Sequence, residues 1–262
     1  MSLRRSLTDT GHGVVLALQF LTRIPVPLRC PWTPPTCRAA LRAFPLVGGL
    51  IGVLLALVLA LGSGLPAPLL ALLLLTVWVA LSGGLHLDGV MDLADALGSN
   101  APMERRWAIL KDSQIGSFAV LVLVFLLAWK GMLLWALIEA GLSAWLLVLI
   151  PALARFGGLV LLRLAPPASG QGLAAAWRAD LRRVDVCLSM LPVALLVLPF
   201  ATLLLLPTLL GSLMLLGLLG VYALLMVRLF AGINGDMIGA AIELGELWLL
   251  ILAWSWWWFV MA

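Results

Sequence analysis

Long apolar runs, interrupted by short polar breaks, recur along almost the whole sequence. An α-helix needs roughly 20 such residues to cross the hydrocarbon core of a membrane. The runs lack the period-two alternation of an outer-membrane barrel, so the predicted spans are helical. The chain is 64% hydrophobic and 11% charged, whereas a soluble domain carries about 25% charged residues. We therefore predict a single all-α, polytopic membrane domain over residues 1–262.

Seven segments are predicted to be transmembrane helices because each is long and apolar enough to span. They are Phe44–Gly62, Pro66–Gly83, Ile115–Leu137, Leu142–Leu164, Cys187–Leu206, Leu209–Phe230 and Met237–Val260. A shorter apolar run, Val14–Leu21, cannot span and lacks the cleavage site of a signal peptide. It is predicted to be an N-terminal interfacial or re-entrant helix.

Outside the predicted spans, the basic residues are confined to one set of alternating connections. They are Arg4, Arg5, Arg23, Arg29, Arg38, Arg42, Arg105, Arg106, Lys111, Arg178, Arg182 and Arg183. The opposite connections, Ser63–Leu65, Ile138–Gly141 and Pro207–Thr208, contain no Lys or Arg. Because basic residues stay with cytoplasmic loops, we predict a multi-pass protein of the bacterial inner membrane with its long loops in the cytoplasm.

An acidic motif, Gly83-Gly84-Leu85-His86-Leu87-Asp88-Gly89-Val90-Met91-Asp92-Leu93-Ala94-Asp95, follows the second predicted span. Asp88, Asp92 and Asp95 stand at i, i+4 and i+7, so on a helix they share one narrow edge. Such close carboxylates repel one another unless a cation lies between them. Mg²⁺ prefers oxygen ligands and often shares them with substrate phosphates. The motif therefore predicts a magnesium site, with a solvated acidic stripe as the alternative.

A second polar cluster, Glu104–Ser117, lies in the next cytoplasmic connection. Arg105, Arg106 and Lys111 supply the cations that a diphosphate requires beside its metal. The positive-inside rule explains Arg105 and Arg106 equally well. It does not explain Asp112, because an acidic residue adds nothing to topology.

Other ionisable residues are candidates for handling a proton or an ion. His86 is either a general base or phosphate donor, or an interfacial residue with a structural hydrogen bond. Asp236 opens the last span, and Glu243 follows on the same face within the apolar run. Intramembrane ionisable groups are usually functional, although Asp236 also suits a helix cap.

Four further features carry charge. Arg23 follows the N-terminal apolar run. Arg155 lies mid-membrane, where it either meets a carboxylate or phosphate or marks a site sunk below the membrane surface. Lys130 is predicted to snorkel from the outer end of its span and to have no role. A solvated amphipathic turn is predicted for Arg178, Asp180, Arg182, Arg183 and Asp185, with a role in substrate binding as the less favoured alternative. Together the acidic and basic clusters suit phosphoryl transfer, in which a metal and cations neutralise a diphosphate.

These motifs resemble the cobalamin synthase family, the adenosylcobinamide-GDP ribazoletransferases. The matching elements are Thr22–Pro27, Phe44–Gly48, Gly84–Gly89 with Asp92 and Asp95, Lys111–Ser113, Gly235-Asp236, Gly239-Ala240 and Glu243. They cover nearly the whole chain in the family's order. Gln114 stands where the family commonly has Arg, and Asn234 where it commonly has Thr; neither difference removes a carboxylate.

The resemblance implies the joining step of the nucleotide loop of vitamin B12. The cobinamide phosphate moiety passes from adenosylcobinamide-GDP to α-ribazole or its 5′-phosphate, and GMP leaves. Asp88, Asp92 and Asp95 would hold Mg²⁺, and Asp236 would be a further ligand or base. The residues that would hold the GDP phosphates are Arg23, Arg105, Arg106 and Lys111. His86 or Asp112 would accept the hydroxyl proton.

Two other functions fit parts of the sequence. A CDP-alcohol phosphotransferase uses comparable carboxylates, but its Asp-Gly-x-x-Ala-Arg signature is not met, because Val90–Leu93 follows Asp88-Gly89. A transporter with an acidic ion site would be expected to carry internal repeats, which we do not find. The predicted partners are the two substrates, the lipid bilayer, and either a second copy or other nucleotide-loop enzymes; nucleic acid is not expected.

Overall fold

A computed structural model describes residues 3–168, 172–197 and 201–261 of the chain. Within these ranges the chain forms twelve α-helices and no strand. They are α1 Leu3–Leu21, α2 Pro34–Leu61, α3 Ala67–Ser82, α4 Leu85–Gly98, α5 Met103–Ile109, α6 Ser117–Glu139, α7 Ala144–Leu164, α8 Leu173–Asp180, α9 Arg183–Ser189, α10 Leu191–Val197, α11 Ala201–Phe230 and α12 Gly235–Trp256. A π-helical turn, Trp257–Met261, continues α12.

Five of the described helical stretches are long and apolar enough to cross a membrane. They are Pro34–Leu61, Ser117–Glu139, Ala144–Leu164, Leu206–Phe230 and Gly235–Val260. The helices α3 and α4 pass the same test as a pair, although they meet at 90°. The predicted all-α, polytopic membrane fold is therefore confirmed.

Two predicted boundaries in the second half of the chain are wrong. The segment Cys187–Leu206 was expected to be one span, but α9 ends at Ser189 and α10 covers Leu191–Val197; residues 198–200 lie outside the described ranges. The predicted outer connection Pro207–Thr208 lies inside α11. Proline breaks helices in water, but membrane helices tolerate it because neighbouring groups satisfy the freed carbonyl.

The helix α7 forms the centre of the bundle. Its spanning segment is 78% buried, whereas that of α6 is only 28% buried and faces outward. Gly48 and Gly52 of α2 lie directly on the α7 backbone at Pro151 and Leu147. A side chain at either glycine would collide with that backbone, so small residues permit this close helix packing.

A sharp turn between α3 and α4 places the acidic motif. Gly83 and Gly84 both have positive φ, +65° and +71°, a conformation that glycine adopts without steric cost. The turn sends α4 away at 90° from α3, and α4 then packs between α6 and α12. The acidic edge of α4 is thereby carried to the start of α6.

Candidate active site

Three aspartates of α4 line one cavity of about 310 Å³. Asp88 is exposed, and Asp92 and Asp95 are half-buried. The other lining residues come from α4, from the segment after α5 and from α6: Met91, Leu110, Lys111, Asp112, Ser113, Ile115 and Ala119. The edge predicted from the i, i+4 and i+7 spacing thus opens onto a single concave surface.

The wall facing this edge contributes three exposed polar side chains, those of Lys111, Asp112 and Ser113. The Asp112 carboxylate accepts a hydrogen bond from the backbone N–H of Gln114 at 3.1 Å. That bond stabilises the turn ahead of α6, as aspartate side chains commonly do. An ammonium, a carboxylate and a hydroxyl therefore share the cavity with the aspartates of α4.

Asp95 also holds α4 against α6. Its Oδ2 accepts from the N–H of Gly116 at 2.6 Å, and its Oδ1 accepts from the N–H of Ala119 at 2.9 Å. These are unpaired donors at the start of α6, so Asp95 caps that helix from a distance of more than twenty residues in sequence. Both carboxylate oxygens of Asp95 accept hydrogen bonds. The carboxylates of Asp88 and Asp92, by contrast, form no hydrogen bond with any other described residue.

Asp236 lies in the first turn of α12, close to α4. The α12 N-cap is Asn234, whose side chain accepts from the N–H of Met237 at 3.1 Å. The alternative in which Asp236 itself caps the helix is therefore wrong. Asn234 donates to Asp236 Oδ2 at 2.7 Å, and the Asp236 backbone lies against Gly89, next to Asp88 in sequence. Asp236 does not line the aspartate cavity.

The predicted phosphate-binding arginines lie in different places. Arg23 is exposed, its side chain rests on Gly83, and its N–H donates to the carbonyl of Leu81 at 2.8 Å. It therefore lies at the turn into α4. Arg105 is exposed but does not line the cavity.

Arg106 is directed towards the end of α11. Its Nη1 donates to the carbonyl of Leu229 at 3.3 Å, and its guanidinium lies 5.9 Å from the centre of the Phe230 ring. Trp107 donates to the carbonyl of Phe230 at 3.3 Å. Together Arg106 and Trp107 dock α5 on the C-terminal carbonyls of α11, where cations are favoured.

His86 lies on the opposite side of α4 from the aspartates. Its side chain is only 3% exposed and sits against Gly239 of α12. Its Nδ1 has no described hydrogen-bond partner. His86 does not line the aspartate cavity, so the structure does not bring it together with Asp112.

A buried cluster of charged side chains joins α6, α7 and α12. Lys130 Nζ lies 2.5 Å from Glu243 Oε2 and 2.6 Å from Glu246 Oε2. Arg155 Nη1 lies 2.6 Å from Glu246 Oε1. Trp78 donates to Glu246 at 3.3 Å, and its ring lies beneath the Lys130 ammonium. Two cations thus neutralise two carboxylates inside the bundle.

This cluster confirms one prediction and corrects another. Arg155 meets a carboxylate, as its position mid-membrane requires. The prediction that Lys130 snorkels without a role is wrong, because its side chain is 3% exposed and ion-paired. The sequence signal was the presence of both signs of charge inside the predicted spans, with basic Lys130 and Arg155 and acidic Glu243 and Glu246.

The segment Arg178–Asp185 is not simply a solvated turn. Asp185 is fully buried and forms an ion pair with Arg42 of α2. Nη1 of Arg178 donates to the carbonyls of Leu162 and Ala165 at the end of α7. The prediction failed here because the partners lie on other helices, 143 residues away for Asp185 and 13 or 16 residues away for Arg178.

The acidic cavity fits Mg²⁺ only as an ion shared with a substrate. Among the described residues, no three His, Cys, Asp or Glu side chains form a group that holds a metal ion unaided. Mg²⁺ is usually bound through one or two carboxylates together with waters and substrate phosphates. Asp88 and Asp92 fit that requirement because neither carboxylate forms a hydrogen bond or ion pair with another described residue. Lys111, which lines the same cavity, could bind the substrate phosphates.

Comparisons with known proteins cover almost the whole chain. The sequence profile described as cobalamin-5-phosphate synthase matches residues 13–254. The chain is 43% identical to the adenosylcobinamide-GDP ribazoletransferase of Pseudomonas aeruginosa strain PAO1, over 94% of this chain and 98% of the relative. It is 37% identical to the protein of that name from Halalkalibacterium halodurans, over 93% and 95%.

No solved structure matches the chain significantly. The matched region includes the aspartate edge of α4, the Lys111–Ser113 wall and the start of α12. Neither a CDP-alcohol phosphotransferase nor a transporter is needed to account for these elements. The chain belongs to the cobalamin-5-phosphate synthase family.

Proposed function

We propose that this protein is an adenosylcobinamide-GDP ribazoletransferase that works with Mg²⁺. The supporting observation is the cavity in which Asp88 and Asp92 face Lys111 and Asp112, in a chain whose relatives carry that enzyme name over nearly their full length. The cavity combines the carboxylates, the cation and the exposure that a diphosphate-bound metal needs.

Asp88 and Asp92 would hold the ion, with Asp95 fixing the edge on which they stand. When bound, Mg²⁺ would supply charge neutralisation along the diphosphate. Lys111 would bind a diphosphate oxygen as a mobile point charge. Arg23, at the turn into α4, and the exposed Arg105 of α5 would extend the basic surface toward the nucleotide. Arg106, which is held at the end of α11, would add only its positive charge.

The transfer itself exchanges one bond to phosphorus for another. The hydroxyl oxygen of α-ribazole, or of its 5′-phosphate, bonds to the phosphorus attached to cobinamide. The bond from that phosphorus to the bridging oxygen of GMP breaks, and GMP leaves with the electron pair. Asp112 is the better placed acceptor for the hydroxyl proton, because it lines the cavity whereas His86 is buried away from it.

The location of the reaction follows from the charge pattern. The aspartate cavity lies on the same side of the bundle as the basic connections, which the positive-inside rule assigns to the cytoplasm. The proposed setting is therefore the cytoplasmic face of a bacterial inner membrane, with both substrates delivered from the cytoplasm. Assembly with a second copy or with other nucleotide-loop enzymes is part of the same proposal.

The proposal is tested by assaying the purified protein in nanodiscs. Adenosylcobinamide-GDP and α-ribazole 5′-phosphate should yield GMP and a cobalamin phosphate only when Mg²⁺ is present. Chelation should stop the reaction, and added Mg²⁺ should restore it. The variant Glu104→Gln should release GMP like the wild type, since Glu104 is an exposed carboxylate that does not line the cavity. Absence of GMP in the wild-type assay would refute the proposed function.

A further inference from the structure

Two arginines lie near the C-terminal end of α7. Arg163 is in the last turn of α7, and Arg178 projects from α8. Both side chains are half-buried. Nη1 of Arg178 donates to the carbonyls of Leu162 and Ala165, which leaves the rest of its guanidinium available.

Within the described part of the chain, this pair has no counter-charge. Among the described residues, neither guanidinium forms an ion pair, whereas Arg42 and Arg155 each meet a carboxylate. Nε of Arg163 is buried without a hydrogen-bond partner. Burial, and then the nearby charge of Arg163, lower the pKa of Arg178. The dipole of α7 accounts for the contacts of Arg178, but among the described residues Arg163 Nε has no acceptor.

The end of α7, which carries Arg163, leads into a segment that lies beside the start of α12. After Arg163 the chain runs alongside the segment that precedes α12: Ala168 N–H donates to the carbonyl of Ile233 at 2.9 Å, and Ile233 N–H donates to the carbonyl of Pro166 at 3.0 Å. Three residues after Ile233 comes Asp236, which touches α4. The segment from Ile233 to Asp236 therefore touches both the chain after Arg163 and α4, whose aspartates line the cavity.

We propose that Arg163 and Arg178 bind the phosphate monoester of the second substrate, α-ribazole 5′-phosphate. The inference rests on the proposed function and adds a subsite to it. Guanidinium forks match phosphate oxygens in geometry and charge. An anion there neutralises both arginines and places the acceptor beside Asp236, while its reactive hydroxyl extends toward the diphosphate on α4.

The two acceptors of the proposed reaction supply the test, because α-ribazole lacks the phosphate. Arg163→Gln should raise KM for α-ribazole 5′-phosphate about tenfold, the loss of one charge-assisted hydrogen bond. KM for α-ribazole and for adenosylcobinamide-GDP should stay within about twofold. Arg163→Lys, which keeps the charge without the fork, should give an intermediate KM. Arg183→Gln, an exposed arginine on α9, is the matched control.

Each outcome either supports or overturns the proposed phosphate subsite. A rise in KM that is confined to the phosphorylated acceptor supports it. An equal rise for both acceptors in Arg163→Gln and Arg163→Lys would assign Arg163 to the fold, and no rise for either would place the phosphate elsewhere; both overturn the proposal. Turnover of α-ribazole by the variants shows that they are folded. Absence of GMP from the wild type with either acceptor refutes the proposed function instead.

Discussion

The three aspartates of α4 differ in their structural roles. Asp95 receives two backbone hydrogen bonds from the start of α6. Asp88 is exposed, and neither it nor Asp92 has a described side-chain hydrogen bond. A carboxylate without protein partners contributes little to folding, so these two are free to serve a ligand. The edge therefore combines a structural aspartate with two that remain available.

Substitution of single aspartates should separate activity from stability. We expect Asp88→Asn to lower Mg²⁺-dependent GMP release by at least about 100-fold, because one metal ligand is lost. Its unfolding midpoint should match the wild type. Asp95→Ala should lose activity and also about 1 kcal/mol of stability, since it removes a helix cap. GMP release and thermal unfolding in detergent measure both effects. Full activity in Asp88→Asn would contradict the ligand assignment.

Lys130 should be a stability residue. Lys130→Met leaves Glu243 buried without a cation, which we expect to cost about 3–5 kcal/mol in the free energy of unfolding. Adding Glu243→Gln should recover part of this loss, because Glu246 keeps Arg155 as its partner. Arg228→Met on α11 is the control, as Arg228 is exposed. Unfolding in detergent micelles measures the change, and equal stability of Lys130→Met and Arg228→Met would show the cluster to be unimportant.

Individual residues were predictable where spacing alone sets the geometry. The i, i+4 and i+7 aspartates needed only a helix to share an edge. Lys130 was not predictable from its own span, since position along a helix does not reveal which neighbour faces it. Its partners come from α12, more than 110 residues later. The capping role of Asp95 was hidden for the same reason.

At the scale of helices, the contact between α4 and α12 brings Asp236 to the acidic edge. Gly89 makes it possible, because a Cβ there would collide with the Asp236 backbone. The contact cannot adjust easily, since backbone atoms rather than a flexible side chain would have to move. Gly89, together with Gly239 of α12 against His86, thus sets the separation of α4 and α12.

Gly89→Ala should therefore impair catalysis through geometry. We expect GMP release to fall by about 100-fold, since displacement by about 1 Å near a reacting centre has that effect. Gly220→Ala on α11 is the matched control, because a Cβ at Gly220 meets nothing within 4 Å. GMP release by both variants in nanodiscs measures the difference. Equal activity in the two would show that the α4–α12 spacing is not critical.

Element boundaries were predictable where apolar length decides them. The spans at α6 and α7 match the predicted segments closely. The prediction failed at Pro207 and at Met190, where a membrane helix continues through proline and an apolar run divides between α9 and α10. Hydropathy reports the environment of a segment but not its local backbone hydrogen bonds, so breaks inside apolar runs stay invisible to it.

The whole molecule is organised by the placement of charge across its two ends. The aspartate cavity, the Arg163–Arg178 pair and the start of α12 lie at one end of the spanning helices, together with the basic connections. The opposite connections, including Ser63 after α2, carry no basic residue. If the charge pattern sets orientation, the acidic cavity must open to the cytoplasm, where nucleotide substrates are present.

Cysteine accessibility tests this orientation. In a background lacking Cys30, Cys37 and Cys187, the variants Ser63→Cys and Ser113→Cys each place one thiol at an exposed position on opposite ends of the bundle. In intact spheroplasts, a membrane-impermeant maleimide should label Ser63→Cys but not Ser113→Cys. Permeabilised cells should label both, which controls for thiol reactivity. Labelling of Ser113→Cys in intact spheroplasts would show that the acidic cavity opens to the outside, away from cytoplasmic nucleotides. That result would contradict the proposed reaction at this cavity.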